Sequence, residues 1–316
     1  MGDSTDNIPV IDFSAFKLSL DKPDYDSEAF KKLVQSVHHA LTTIGFFYIV
    51  NADFPPEKLE RMWKVSKDFF HLPAEIKNKY PRNPKENHGY VHMEREKLNP
   101  DRPHGDLKEL FNYHPMTAED SLWPTETECP NFKSVLSDFW DPCLALHQRV
   151  LEVMGHGLQL EDPLLFVKHH VKSYENSGTT LRTLYYPAFK DVTVKEEQAR
   201  CGEHSDYGGI TLLFQERPGL EVRTRKGDFM QAQMVEGGIL VNIGDLMQRW
   251  TADKYLAVKH RVLLDTTSEE SVKPRQSIAF FGHPDYDALI ECIDGSNKYA
   301  PVNSLDYINM RFGLTY

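Results

Sequence analysis

Apolar residues recur along the first half of the chain at two different periods. Residues 8–13, Ile8-Pro9-Val10-Ile11-Asp12-Phe13, read as a short edge strand, where a proline lacking an N–H is tolerated. Phe30, Leu33, Val34, Val37, Leu41 and Ile44 then fall at helical spacing, with Ser27 as N-cap and Gly45 as the stop. Phe46-Phe47-Tyr48-Ile49-Val50 is a strongly apolar strand. Pro55-Pro56 open a second helix whose buried stripe is Leu59, Met62, Trp63, Ser66, Phe69 and Phe70. Residues 81–130 are rich in Pro, Asn, His and charge, and predict a long, partly irregular excursion, either a surface wrap or a functional loop. Helical spacing returns over 131–160, with Pro142 predicting a kink or a break inside it.

Beyond residue 165 the period shortens. Strands are predicted over 166–174, 181–186, 209–215, 220–224, 228–233, 239–243, 258–265 and 275–281, separated by Gly, Pro, Asn and Asp turns. Such spacing predicts a sandwich, jelly roll or barrel. A last helix, over 304–312, carries Leu305, Ile308 and Phe312 behind a Ser cap. The class is α+β, with the N-terminal helices packed outside the β core. Residues 1–130 and 131–316 form two regions of one fused unit, with no repeat between them.

Composition narrows the function. A 316-residue chain that is 40% hydrophobic has enough apolar material for a large core. Its formal net charge of -11, with no Lys/Arg block, lacks the field needed to grip a phosphate backbone, so a small molecule is the expected partner rather than nucleic acid. No apolar run approaches the roughly 20 residues that span a bilayer. The first residues, Met1 to Asp6, are acidic and polar, without the apolar segment of a secretory signal. The four cysteines form no Cys-x-x-Cys pair, which argues against a structural zinc site or a disulfide framework and for a reducing, cytoplasmic setting.

The candidate chemistry begins at His204-Ser205-Asp206. In extended chain, residues i and i+2 point to one face, so both side chains reach one cation. His260, in a predicted strand farther along, supplies a third donor where an antiparallel sheet brings the chain back. Two histidines and one carboxylate make a facial triad suited to Fe(II), leaving the opposite face open for a cosubstrate and O₂. Beyond it, Arg275 and Ser277 share a strand face and form a fork for a carboxylate, while Ala279 and Phe281 continue that face as an apolar wall.

These residues give the chain a resemblance to the Fe(II)/2-oxoglutarate-dependent dioxygenases of the isopenicillin N synthase-like branch. His204-x-Asp206, His260 and Arg275-x-Ser277 match that family's signature in order and spacing. Residues 8–13, 45–51 and 69–73 resemble its N-terminal motifs. The resemblance implies a double-stranded β-helix, or jelly roll, buttressed by helices. It implies Fe(II) on His204, Asp206 and His260, and 2-oxoglutarate on Arg275, Ser277 and Tyr186. It further implies oxidation of a small metabolite by O₂, coupled to decarboxylation of 2-oxoglutarate to succinate and CO₂, with no side-chain base beyond the metal ligands. Leu184 stands where many members carry Asn; in this Leu-Arg-x-Leu segment the chain is closer to fungal thymine and pyrimidine dioxygenases.

For the substrate, Arg182, Tyr207 and Phe281 are expected to converge near the metal. An aromatic pair clamps a planar ring and the arginine binds a carbonyl or carboxylate, a nucleobase-like compound being one option. Two other readings stay open at this point. One is an Fe(II) oxidase of the same fold that holds the substrate's own carboxylate on Arg275 and Ser277. The other is a non-enzymatic jelly-roll binding module.

Overall fold

The computed structural model describes residues 7–115, 120–264 and 273–315. The N-terminal hexapeptide and the last residue of the strand expected over 258–265 lie outside them. The first part contains β1 (Val10–Asp12), α1 (Glu28–Thr43), β2 (Phe46–Val50), α2 (Pro56–Phe70), α3 (Ala74–Lys77), β3 (Gly89–Val91) and β4 (Glu109–Tyr113). Then come α4 (Phe132–Gly157), α5 (Leu165–Lys168), β5 (Thr180–Tyr186), β6 (Cys201–His204), β7 (Ile210–Gln215), β8 (Leu220–Arg223) and β9 (Phe229–Gln231). The chain ends with β10 (Ile239–Ile243), α6 (Asp245–Trp250), β11 (His260–Val262), β12 (Arg275–Gly282), β13 (Leu289–Ile290), β14 (Val302–Asn303) and α7 (Ser304–Thr315).

Eight strands make the major sheet in the order β1-β2-β10-β7-β12-β5-β4-β3, and four make a minor sheet, β6-β11-β8-β9. β1, β2, β3 and β4 sit in the same sheet as β5, β7, β10 and β12, so the N-terminal segments complete the β core rather than standing apart from it. The strand alternation sorts side chains into two cores. Phe47, Ile49, Leu212, Val241, Ile278 and Phe280 face the helices. Phe46, Tyr48, Leu184, Leu240 and Ala279 pack with Leu220, Val222 and Val262 of the minor sheet. The fold is a jelly roll with helices against one sheet, and the space between its sheets is where polar groups gather.

Ser27 caps α1 as expected, its side chain accepting from the Phe30 N–H. Three local expectations change. Residues 165–168 form a helical turn followed by loop, not a strand; a short apolar run does not distinguish the two by periodicity. The 81–130 excursion contains β3 and β4, which pair with the rest of the sheet and are buried. Pro142 does not break α4, which runs unbroken over 26 residues. The carbonyl that Pro142 leaves without a helical donor is that of Asp138, and Lys58 Nζ supplies the missing hydrogen bond at 2.8 Å.

Candidate active site

β6 and β11 run antiparallel, with His260 directly opposite His204. Asp206 lies just beyond β6, and its backbone carbonyl accepts the Asp245 N–H at 2.7 Å, which pins it to the start of α6. One donor atom from each of the three residues lies within 4.8 Å of the others. Both imidazole Nε2 atoms stand 3.7 Å from Asp206 Oδ1. On the far side of each ring, Nδ1 meets the carbonyl two residues back, Gly202 for His204 at 2.8 Å and Val258 for His260 at 3.1 Å. Those contacts assign the Nδ1–H tautomer and leave each Nε2 lone pair turned toward Oδ1. The other carboxylate oxygen, Oδ2, accepts from Thr211 Oγ1 and Asn242 Nδ2, each at 2.6 Å.

Burial and the neighbouring His204 lower the pKa of His260 to about 4, which keeps its ring neutral and ligating. Burial alone would raise Asp206, but His260, His204 and the two hydrogen bonds outweigh it and hold the carboxyl below its usual range. Two imidazole nitrogens and one carboxylate oxygen on one face, with their outer partners already placed, are a donor set that fits Fe(II).

Beside the triad lies a cavity that also includes Tyr186, Leu184, Arg275, Ser277, Ala279 and Phe281. Arg275 is buried at the start of β12, opposite Tyr186 across the β5 pairing, with its guanidinium 4.9 Å from that ring. Its Nη2 reaches only neutral acceptors, Gln215 Oε1 at 3.4 Å and the Arg217 carbonyl at 3.3 Å. Its Nε has no partner. Among the described residues no carboxylate pairs with this guanidinium. A buried cation with an orphaned donor is costly unless an anion joins it, so the residues fit a bound carboxylate as well as a metal. Leu184 contributes an apolar wall where an Asn would have offered a polar one.

A second cavity opens on His204 and Asp206 of the triad. Arg182, Tyr207 and Phe281 all line it, as do Glu96, Phe312 and Thr315. The three expected substrate residues are therefore brought together. Tyr207 is fixed by a hydrogen bond between its hydroxyl and Thr315 Oγ1 and by the Arg311 guanidinium 4.1 Å from its ring. Arg182 lies over the Phe281 ring at 5.2 Å. Its Nε donates to Asn112 Oδ1 at 2.8 Å, and its Nη1 to Glu96 Oε1 at 3.0 Å.

Sequence reasoning did not single out Glu96, Asp106 and Lys108 as site residues. Lys108 Nζ stands 2.8 Å from Glu96 Oε2 and 2.6 Å from Asp106 Oδ2, all three deeply buried. Burial would strip the Lys108 proton, but Asp106 and Glu96 hold it on and raise its pKa well above the usual lysine value. In sequence such charges read as a solvated loop. Only β4 pairing with β5 carries Lys108 to the inside.

The fold and the site together define a non-haem iron oxygenase, and the comparisons with known proteins agree. Residues 177–284 match the 2OG-Fe(II) oxygenase superfamily, and residues 8–133 match the N-terminal family described as non-haem dioxygenase in morphine synthesis. The proline hydroxylase buaE of Petromyces alliaceus is 32% identical over 289 residues, covering 87% of this chain and 89% of that protein. The 2-oxoglutarate-dependent dioxygenase htyE of Aspergillus rugulosus is 31% identical, covering 87% and 91%. Among solved structures, the thymine-7-hydroxylase of Neurospora crassa in complex with alpha-KG and thymine superposes with a TM-score of 0.84 at 32% identity, covering 100% of this chain and 99% of that one. The chain belongs to the 2-oxoglutarate-Fe(II) oxygenase superfamily. It is a 2-oxoglutarate-dependent dioxygenase, using Fe(II), 2-oxoglutarate and O₂ to oxidise a small molecule. The relatives favour this reading over the oxidase and the binding module. Among the described residues no helix is long and apolar enough to cross a membrane.

Proposed function

We propose that His204, Asp206 and His260 hold the ferrous ion, and that Arg275 and Ser277, with the Tyr186 phenol beside them, grip the distal carboxylate of 2-oxoglutarate. When bound, the ion and the 2-oxo acid supply the O₂-activating chemistry that oxidises substrate and releases succinate and CO₂. The chain's own contribution is placement. Thr211 and Asn242 hold Asp206 so that one oxygen faces the metal. The Gly202 and Val258 carbonyls orient the two imidazoles. Arg275 fixes the far end of the cosubstrate, and the apolar faces of Leu184, Ala279 and Phe281 exclude water from the cavity.

The substrate is a small ring compound held in the cavity of Arg182, Tyr207 and Phe281, with a nucleobase as one option. The thymine bound by the Neurospora crassa hydroxylase supports that option. The net charge of -11 argues against nucleic acid as partner. Four free, buried cysteines fit a reducing cytoplasm.

The observation that carries the reading is Arg275: a buried guanidinium without a carboxylate partner, in one cavity with the triad. The test is succinate formation across a panel of ring compounds. Arg182→Ala is expected to raise the substrate KM while substrate-free 2-oxoglutarate turnover stays normal. An unchanged KM would remove Arg182 from the substrate site.

A further inference from the structure

Glu96 lies in the loop between β3 and β4 and is only 3% exposed. It lines the cavity that holds Arg182, Tyr207 and Phe281. Its Oε1 takes the Arg182 guanidinium at 3.0 Å, and its Oε2 faces Lys108 Nζ at 2.8 Å. Lys108 in turn meets Asp106 Oδ2 at 2.6 Å. The two cations and two carboxylates close on each other without net charge. The other ionisable groups lining this cavity are His204, Asp206, Tyr207 and His283. Burial lowers the His283 pKa to about 4, so its ring is neutral. Arg311, stacked on Tyr207 from outside the lining, is paired with Asp245. Among the described residues no cation facing the substrate is left uncompensated, in contrast with Arg275 in the cosubstrate cavity.

We propose that Glu96 is a specificity-determining residue: by neutralising Arg182 from inside the cavity wall, it admits substrates that are uncharged where they meet that arginine and turns away carboxylates. This rests on the assignment of the Arg182–Tyr207–Phe281 cavity to the substrate. A carboxylate entering there meets the Glu96 charge beside Arg182, the one guanidinium among the described residues that line the cavity. Like charges brought together in a buried site oppose binding. The Arg182 guanidinium is held in one plane by Glu96, by Asn112 and by the Phe281 ring beneath it.

The experiment compares benzamide with benzoate as probes. They have similar ring and shape and differ in charge. Binding is measured calorimetrically, without O₂, on protein loaded with Fe(II) and saturating 2-oxoglutarate, so that the Arg275 fork is filled. Wild type is expected to bind benzoate no tighter than benzamide. Glu96→Gln is expected to bind benzoate about tenfold tighter than wild type or better, with benzamide little changed. Glu96→Asp, which keeps the charge, is expected to stay with wild type. Equal benzoate affinity in wild type and Glu96→Gln, including none measurable in either, overturns the proposal, as does a wild-type preference for benzoate. That last comparison stands if Glu96→Gln fails to fold. The visible absorbance of the Fe(II)·2-oxoglutarate chelate is read on the same wild-type sample. Its absence would count against the iron and cosubstrate assignment, and the probe comparison would then be read on the metal-free protein.

Discussion

His260 stands opposite His204 across the antiparallel β6–β11 pair, with ring centroids 4.3 Å apart. The register slips between this pair and the next, Val262 opposite Cys201, so β6 carries one more residue than β11 there. A bulge of this kind re-aims a side chain at a sheet rim. Here it accompanies two imidazoles turned toward one carboxylate, whose other oxygen is held by Asn242 and Thr211. Replacing Asn242 with Ala leaves that oxygen short of a donor. Fe(II) affinity is expected to fall about 10- to 100-fold, measured by competitive titration against a chromogenic chelator. Unchanged affinity would show that Asn242 does not orient the ligand.

Arg275→Ala removes the buried charge and leaves the triad in place. The KM for 2-oxoglutarate is expected to rise by on the order of a hundredfold or more, the scale of truncating one partner of a buried charge pair. Fe(II) affinity should stay within a few-fold of wild type. A variant that loses iron binding but keeps its 2-oxoglutarate KM would contradict the division of labour.

Acid should destabilise the fold before the carboxylates titrate. His88 and His170 are buried, and burial lowers both from 6.5 to about 3. On the unfolded chain these rings protonate near 6.5, so between that value and about 3 the unfolded state binds more protons. Their contribution is complete above the unfolded value and is lost as pH falls toward the folded one. Urea midpoints are expected to drop steadily from about pH 7 to about pH 5. A flat profile over that range would refute buried neutral histidines.

Gly282 closes β12 against α4. A Cβ there would sit 1.8 Å from His147 Nε2, on a ring that is fully buried. Gly282→Ala therefore overpacks the layer behind the iron ligands, at a cost of about 3 kcal/mol or more. A melting point several degrees below wild type is expected, and one equal to wild type would show that α4 yields easily.

Much of the site is legible in the sequence because its chemistry sits at fixed spacings on strands. Arg275, Ser277 and Phe281 alternate onto one face of β12 and line one cavity, while Ile278 and Phe280 turn to the helices. His204 and Asp206 share a face although only His204 is inside a strand. The less legible parts depend on partners distant in sequence. Lys108 directly precedes β4 and Glu109 opens it, a pattern that looks solvated until Glu96, Asp106 and Lys77 are found beside them. α4 continues through Pro142, and the carbonyl freed there is reached by Lys58, on another helix. Neither fact has a local signature.

One cavity is proposed to bind Fe(II) through His204, Asp206 and His260 and 2-oxoglutarate through Arg275. Anaerobic titration of Fe(II) and 2-oxoglutarate, followed by visible absorbance, tests it most directly. The broad band of the chelate is expected with wild type, absent from His260→Ala at all concentrations, and shifted to much higher 2-oxoglutarate in Arg275→Ala. A band of full intensity in His260→Ala, or none in wild type, would rule out this shared iron and cosubstrate site.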